Sequence, residues 1–427
     1  MTLEKFSPAT RAWFAGAFAQ PTPAQLGAWD AISSESHALV VAPTGSGKTL
    51  AAFLWAIDQL ITTPGNGNGT GTGTGTGTRV LYISPLKALG VDVERNLRAP
   101  LVGVTQTAKR LGLPAPGVTV GVRSGDTTPQ DRRLLARTPP DILITTPESL
   151  YLMLTSAARE TLTGVETVII DEVHAVAATK RGAHLAVSLE RLDALLPHPA
   201  QRIGLSATVR PLGEVARFLG GRAPVTIVNP PAAKTFDLTV EVPVDDMTEP
   251  GIFVRREGDT SGPTGMSAVA TGSIWPHVEE AIVDRILEHR STIVFANSRR
   301  LTERLTARLN EIAQERWSSG GDGADRNLVT GQGDFDTVAS RPTQSAVPET
   351  QSTSGLLARA HHGSVSKEQR ATIEDDLKSG RLRCVVATSS LELGIDMGAV
   401  DLVIQVESPP SVASGLQRIG RAGHQVG

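Results

Sequence analysis

The clearest chemistry in the chain lies in residues 42–49, which read Ala-Pro-Thr-Gly-Ser-Gly-Lys-Thr. They follow an apolar run at 38–41. They precede a segment in which Leu50, Phe53, Leu54, Ile57 and Ile61 share one helical face. Glycines let a backbone wrap closely around phosphate, and successive N–H groups with a helix N-terminus supply positive potential. Lys48 is placed to reach the β- and γ-phosphates of a nucleotide, and the Thr49 hydroxyl to bind Mg2+. Ala42 stands where the general phosphate-loop pattern has its first glycine. A second constellation, Asp171-Glu172-Val173-His174, ends the apolar run 168–170. In phosphoryl transfer a strand-end aspartate holds Mg2+ and a neighbouring carboxylate orients the attacking water. Asp171 fits the first role and Glu172 the second. Paired acids after a strand are commonly just solvated; behind a phosphate loop in the same domain they point to nucleotide hydrolysis. His174 on its own reads as structural.

Such residues need elements to hold them. Apolar runs before residue 210 lie at 38–41, 80–83, 118–120, 142–144, 168–170 and 203–205. Most do not alternate with polar residues, the pattern of strands buried on both faces of a parallel sheet. Helical spacing between them predicts a doubly wound α/β domain over 1–225. A second, smaller α/β domain is predicted over 273–427. Val278, Ile282, Ile286 and Leu287 mark its first helix, and runs at 293–295, 384–386 and 402–404 mark strands. Residues 226–272 read as a linker, with a lone strand predicted in the alternating segment 236–244. The Gly-Asn/Gly-Thr repeat at 65–78 and the Gly-, Ser-, Thr-, Asp- and Gln-rich stretch at 318–354 read as flexible surface insertions.

Composition narrows the function classes. The 427 residues exceed one ordinary core, and 40% hydrophobic with 20% charged residues excludes global disorder. No apolar run is long enough for a membrane helix. The start, Met-Thr-Leu-Glu-Lys-Phe-Ser-Pro, has no apolar core of a secretory signal. The single cysteine, Cys384, excludes an intramolecular disulfide and a cysteine-based metal cage; it fits a reducing cytoplasm, the expected location. A net charge of −3 requires any nucleic-acid surface to be a local patch.

Further motifs follow in order. The first half carries Pro23-Ala24-Gln25, Ser84-Pro85-Leu86-Lys87-Ala88-Leu89, Ser124-Gly125-Asp126-Thr127, Thr145-Thr146-Pro147-Glu148 and Ser206-Ala207-Thr208. The second half carries Phe295-Ala296-Asn297-Ser298-Arg299, His362-Gly363-Ser364, a segment from Ala387 through Gly394 to Asp396, and Gln417-Arg418-Ile419-Gly420-Arg421-Ala422-Gly423-His424. The ordered set resembles the motifs of superfamily 2 helicases of DEAD/DEAH type. That resemblance implies two RecA-like domains with parallel sheets and an ATP cleft between them. Asp-Glu-Val-His departs from the DEAD box. The motifs beginning at Ser84, Thr145 and Gln417 are similar to those of the large helicase-related (Lhr) family, with RecQ-like and Ski-type helicases as near competitors.

The Lhr resemblance implies a nucleic-acid-dependent ATPase that uses ATP and Mg2+. It implies movement 3′→5′ on single-stranded DNA and unwinding of DNA or RNA:DNA duplexes, with no membrane partner and with protein partners undefined. It also implies a winged helix and further domains after the motor; the sequence ends just past His424, so a motor portion alone is expected. The competing expectations are a Ski-type RNA helicase and an ATP-gated binding fragment that does not unwind. By the same resemblance Gln25 reads the adenine edge, and Thr44, Gly45, Ser46, Gly47, Lys48 and Thr49 cradle the phosphates. Gly394 and Asp396 line the ribose, Gln417 senses the γ-phosphate, and Arg418 and Arg421 act as arginine fingers. The strand track is expected at Lys87, Arg123, Thr145 and Thr146, and at Asn297, Arg299, His362, Ser364, Thr388 and Ser389.

Overall fold

Runs of β-branched and aliphatic residues fold as strands when helices cover both faces. In the computed structural model, residues 2–43, 45–63, 77–85, 87–114, 117–231, 237–244, 273–319, 355–392 and 400–423 are described. The chain divides into two compact units that part between residues 235 and 236.

The strands of the first unit are β1 (His37–Val41), β2 (Val80–Ile83), β3 (Val120–Arg123), β4 (Ile142–Thr145), β5 (Thr167–Ile170), β6 (Gln201–Ser206) and β7 (Val225–Val228). They form one sheet in the order β3-β4-β2-β5-β6-β1-β7, and every neighbouring pair is parallel. Alternate side chains of β1 enter two cores. Ala38 and Val40 join Trp29, Phe53 and Ile57 on one face; Leu39 and Val41 join Leu185, Leu189 and Leu219 on the other. Two-sided burial is why the run does not alternate.

Two boundaries differ from the sequence reading. β3 covers Val120–Arg123 rather than 118–120, and its residues are only half-buried at the sheet edge. β7 lies where the linker was expected to begin, yet it pairs with β1, His37 standing opposite Val225. Thr226 and Ile227 are exposed on this edge strand, so no buried apolar run announces it.

The second unit holds β8 (Thr292–Phe295), β9 (Ala358–His361), β10 (Cys384–Ala387) and β11 (Leu402–Gln405), in the parallel order β11-β8-β10-β9. Helices Trp275–Glu288 and Arg299–Ser319 bring Val283, Ile286, Leu305 and Leu309 into the core with Val294 and Val386. β9 has no apolar run. Asn310 from the adjacent helix fixes it instead, its Nδ2 donating to Ala358 O and its Oδ1 accepting from Ala358 N, both at 2.9 Å. Cys384 is buried in β10, and burial pushes its thiol far above the ordinary range.

The expected insertions fall largely outside the described residues, which omit 64–76 and 320–354. At their margins the chain is ordered: Thr78 is buried with its N–H on Thr161 O at 2.9 Å, and Ser319 ends a helix. No strand forms over 237–244. Leu238, Val240 and Val242 stay exposed, Val240 at 89%, because alternation makes a strand only where a neighbour supplies a ladder and a covering face. Among the described residues no helix is long and apolar enough to cross a membrane.

Candidate active site

β1 runs into the phosphate loop, and helix Lys48–Thr62 leaves it. Gly45 and Gly47 adopt φ of +84° and +76°, a left-handed backbone that L side chains rarely tolerate. The loop is clasped from outside by the cap of helix Pro23–Ile32. The Thr22 hydroxyl donates to Ser46 O at 2.7 Å, and Gln25 Nε2 donates to Gly47 O at 3.4 Å. Gln25 Oε1 accepts the Thr22 N–H at 2.9 Å, completing a capping box. The amide expected on an adenine therefore braces the loop in this structure. Thr22 carries its own sequence signal, a threonine three residues before Gln25 at a helix start. Lys48 is 5% exposed at the helix N-terminus, and Thr49 beside it is half-buried. Thr44, Gly394 and Asp396 lie outside the described residues.

Gly47 cannot be replaced cheaply. A Cβ there would sit 2.5 Å from Gln25 Nε2, on a backbone already at φ +76°. Gly47→Ala is expected to weaken ATP binding at least about ten-fold, the equivalent of 1–2 kcal/mol of left-handed strain. Titration with a fluorescent ATP analogue checks this, and unchanged affinity refutes it.

β5 ends at the two acids. Asp171 is 3% exposed. Its Oδ1 accepts the Glu172 N–H at 2.9 Å, and its Oδ2 accepts a short hydrogen bond from the Tyr82 hydroxyl. Burial first, then the Glu172 charge, push its carboxyl up to about 6, against the opposing pull of Lys48. In the sequence Tyr82 is legible only as part of the apolar run 80–83. Its ring stacks on Phe53 at 4.9 Å, and its hydroxyl titration is pushed well up by burial and then by Asp171. Glu172 sits at φ +43°, buried, and its Oε2 accepts no hydrogen bond.

β6 lies between β5 and β1, which brings Ser206 beside the acids. The Ala207 N–H donates to His174 Nδ1 at 3.3 Å, and the Ser206 hydroxyl lies 3.1 Å from the same nitrogen. Burial, then Lys48, push His174 down to about 4, so the ring is neutral at pH 7 with its proton on Nε2. His174 thus ties two motifs together, consistent with its structural reading.

A Mg2+-nucleotide fits these residues. The loop is a cradle that a Cβ would fill. Ser46 Oγ and Glu172 Oε2 are buried without hydrogen-bond partners, and Lys48 is a buried cation at a helix N-terminus. Among the described residues no cluster of three or more His, Cys, Asp and Glu forms a metal cage.

In the second unit the expected fingers are held inward. Arg418 is 1% exposed. Its Nε donates to Glu392 Oε1 at 2.6 Å, and its Nη1 to Asn297 Oδ1 at 3.1 Å and Gln405 Oε1 at 2.7 Å. The guanidinium also lies 5.1 Å from the Phe295 ring centre. Arg418 is thus bonded within its own unit in this structure, where the finger reading expects it to project. Arg421 is buried too, its Nη2 donating to Glu392 O at 2.6 Å. Gln417 is half-buried on the same helix, Val412–Ile419.

The expected track residues divide by exposure. Thr145 and Arg123 stand opposite each other on β4 and β3, but the Thr145 hydroxyl is buried and donates to Arg123 O at 2.8 Å. Thr146 caps helix Pro147–Leu154, accepting from Ser149 N at 3.4 Å. These two threonines shape the turn, which is their more local chemistry. Arg181, missed in the sequence, pins this edge by pairing with Glu148 and donating to Pro85 O at 2.5 Å. The Lys87 side chain lies outside the described residues. In the second unit Arg299, Ser364 and His362 do come together. Arg299 Nη1 donates to Ser364 Oγ at 2.8 Å, the Ser364 N–H donates to His362 Nδ1 at 3.3 Å, and His362 Nε2 meets Glu303 at 2.5 Å. Ser389 is exposed and Thr388 half-buried beyond β10, while Asn297 is committed to Arg418 and Ser408 O.

Comparison with known proteins bears on both units. Residues 22–215 match the DEAD/DEAH box helicase family, and residues 337–425 match the helicase conserved C-terminal domain. The Lhr helicase/probable uracil glycosylase of Mycolicibacterium smegmatis is 65% identical over 425 residues, covering 100% of this chain and 26% of that protein. The Lhr helicase/uracil glycosylase of Escherichia coli is 58% identical over 422 residues, covering 99% of this chain and 26% of that protein. The chain therefore spans about a quarter of these relatives' length. The solved structure of Mycobacterium smegmatis helicase Lhr bound to ssDNA and AMP-PNP superposes with a TM-score of 0.77 at 64% identity, covering 100% of this chain and 47% of that one. The two parallel sheets are thus those of RecA-like helicase domains.

Proposed function

We propose, for a chain that belongs to the DEAD/DEAH box helicases and carries their C-terminal domain, that it is a nucleic-acid-stimulated ATPase moving 3′→5′ on single-stranded DNA and separating DNA or RNA:DNA duplexes. The observation that carries the proposal is the buried group of Lys48, Asp171 and Glu172 at the carboxyl ends of β1 and β5, joined through His174 to the end of β6. Support for the strand comes from the similar Lhr protein, whose structure holds ssDNA and AMP-PNP.

Lys48 and the loop N–H groups bind the β- and γ-phosphates, with the Gln25–Thr22 clasp holding the loop in shape. Thr49 and Asp171 would hold Mg2+, which supplies neutralisation of phosphate charge when bound. Glu172 orients and deprotonates the attacking water; its buried Oε2 accepts no hydrogen bond and can take that proton. Arg421 answers the charge that develops on the γ-phosphate. On the strand side, burial and the neighbouring Arg132 both disfavour the charge on Arg123, and a backbone phosphate relieves that repulsion. Arg299 and Ser364 offer a second phosphate contact. The proposed compartment is the cytoplasm, in keeping with the lone reduced thiol of Cys384.

The test is ATP hydrolysis with no strand, with single-stranded DNA and with single-stranded RNA, followed by displacement from duplexes tailed at either end. Stimulation by DNA and displacement from 3′-tailed substrates are expected. Greater stimulation by RNA moves the proposal to an RNA track, and no stimulation by either overturns it. Arg421→Ala is expected to lower turnover about 10²-fold while ATP affinity stays within about three-fold, because its charge matters most in the transition state. An unchanged rate at saturating ATP removes Arg421 from the chemistry.

A further inference from the structure

We infer that Glu392 is the positioning residue for Arg421, an assignment that rests on the proposed role of that arginine. Glu392 ends the short turn Ser389–Leu391 after β10. Its Oε1 accepts from Ser414 Oγ at 2.8 Å and from Arg418 Nε at 2.6 Å, and Arg418 Nη2 pairs with the same oxygen. Its main-chain oxygen accepts from Arg421 Nη2 at 2.6 Å. One residue therefore holds the helix Val412–Ile419 by its side chain and the arginine beyond it by its backbone.

The geometry makes that double grip effective. Ser414 and Arg418 stand four residues apart, on one helical face, and both point at Glu392. The helix has only eight residues, so it is a poor autonomous unit and takes its rotation from contacts such as these. Arg418 fixes the far side of the same hub through Asn297 and Gln405. The pair is shielded, the Glu392 and Arg418 side chains being 11% and 2% exposed. Deleting the acid leaves a buried guanidinium without its charge partner, which forces the helix face to reorganise. Arg421 follows that face by three residues and loses its register with it. ATP binding relies on Lys48 and the loop in the other unit, so the defect falls on turnover.

The experiment measures kcat and KM for ATP, with melting midpoints, in Glu392→Ala, Glu392→Gln, Arg421→Ala and the Glu392→Gln/Arg421→Ala double variant. Glu392→Gln keeps an acceptor oxygen but not the charge; its kcat is expected to fall about ten-fold with KM within about three-fold, and Glu392→Ala about ten-fold further. In the Arg421→Ala background the Gln substitution is expected to cost almost nothing more, because both act through one guanidinium. A merely structural role gives the same proportional loss in both backgrounds, and that result overturns the inference. If Glu392→Ala does not fold, Glu392→Gln carries the test alone. Normal turnover in Glu392→Gln beside slow Arg421→Ala overturns only this assignment. Normal turnover in Arg421→Ala overturns the role beneath it, and the assignment with it.

Discussion

The Lys48→Ala protein is expected to fold normally and to hydrolyse ATP at least about 10³-fold more slowly than the parent chain, whatever strand is supplied. Lys48 opens helix Lys48–Thr62 directly after a left-handed Gly47, so its ammonium adds to the positive helix terminus. It is 5% exposed, and it acts on both Asp171 and His174. A buried cation in that position helps the apo fold little but meets a polyphosphate with little solvent to screen it. Its loss removes charge where the γ-phosphate gathers charge in the transition state. The apo protein loses a desolvated ammonium but also the cation that offsets the buried Asp171 charge, so its melting midpoint is expected to shift little or to fall. Phosphate-release kinetics and a thermal melt on the same preparation check both halves. Strand-stimulated hydrolysis within ten-fold of the parent in pure protein would falsify the phosphate-loop assignment.

How far the sequence reached depended on whether a contact is local. The loop at 42–49, its helix and the acids after β5 are contiguous, so residue type and order place them. β2, β4 and β10 are four-residue runs buried throughout, which is why apolar runs found them. β7 and β9, each at the edge of its sheet, escape the sequence because neither is a buried apolar run. β7 is an edge strand with two exposed residues, and β9 carries Arg359 and His361 and is fixed by Asn310, 48 residues away. The motif around Arg418 suggests a finger, yet the side chain is bonded inward. Its partner Asn297 stands 121 residues earlier, and no spacing rule reports such a distance. Tyr82 sat inside an apolar run where its hydroxyl carried no signal, although its partner Asp171 was already singled out. Over 237–244, the described part of the expected lone strand, none forms because period-two alternation states a preference, and a ladder needs a neighbour.

Asp171→Asn is expected to separate stability from activity: the variant melts higher than the parent at neutral pH and hydrolyses ATP about 10³-fold more slowly. In the fold the Asp171 carboxyl titrates at about 6, raised from 3.8 chiefly by burial and then by the Glu172 charge. The fold therefore favours the protonated form. This group's contribution to stability is fully present below pH 3.8 and is lost as pH rises through about 6. At pH 7.5 the apo protein carries an ionised, desolvated carboxylate at a cost of about 1–3 kcal/mol. An amide avoids that cost and still suits the pocket. Its oxygen can accept the Glu172 N–H, and the Tyr82 hydroxyl can turn from donating to accepting. The stability gain is expected to be largest above pH 7 and to shrink towards pH 4.5. The activity loss follows from the same exchange, because an amide gives no anionic ligand for Mg2+. Melting midpoints of both proteins from pH 4.5 to 8, without nucleotide or metal, measure the first half, and ATPase rates at pH 7.5 the second. A variant that melts lower than the parent across that range shows that the buried charge is not a cost to the apo fold. A variant that turns over ATP normally shows that Asp171 is not the metal ligand.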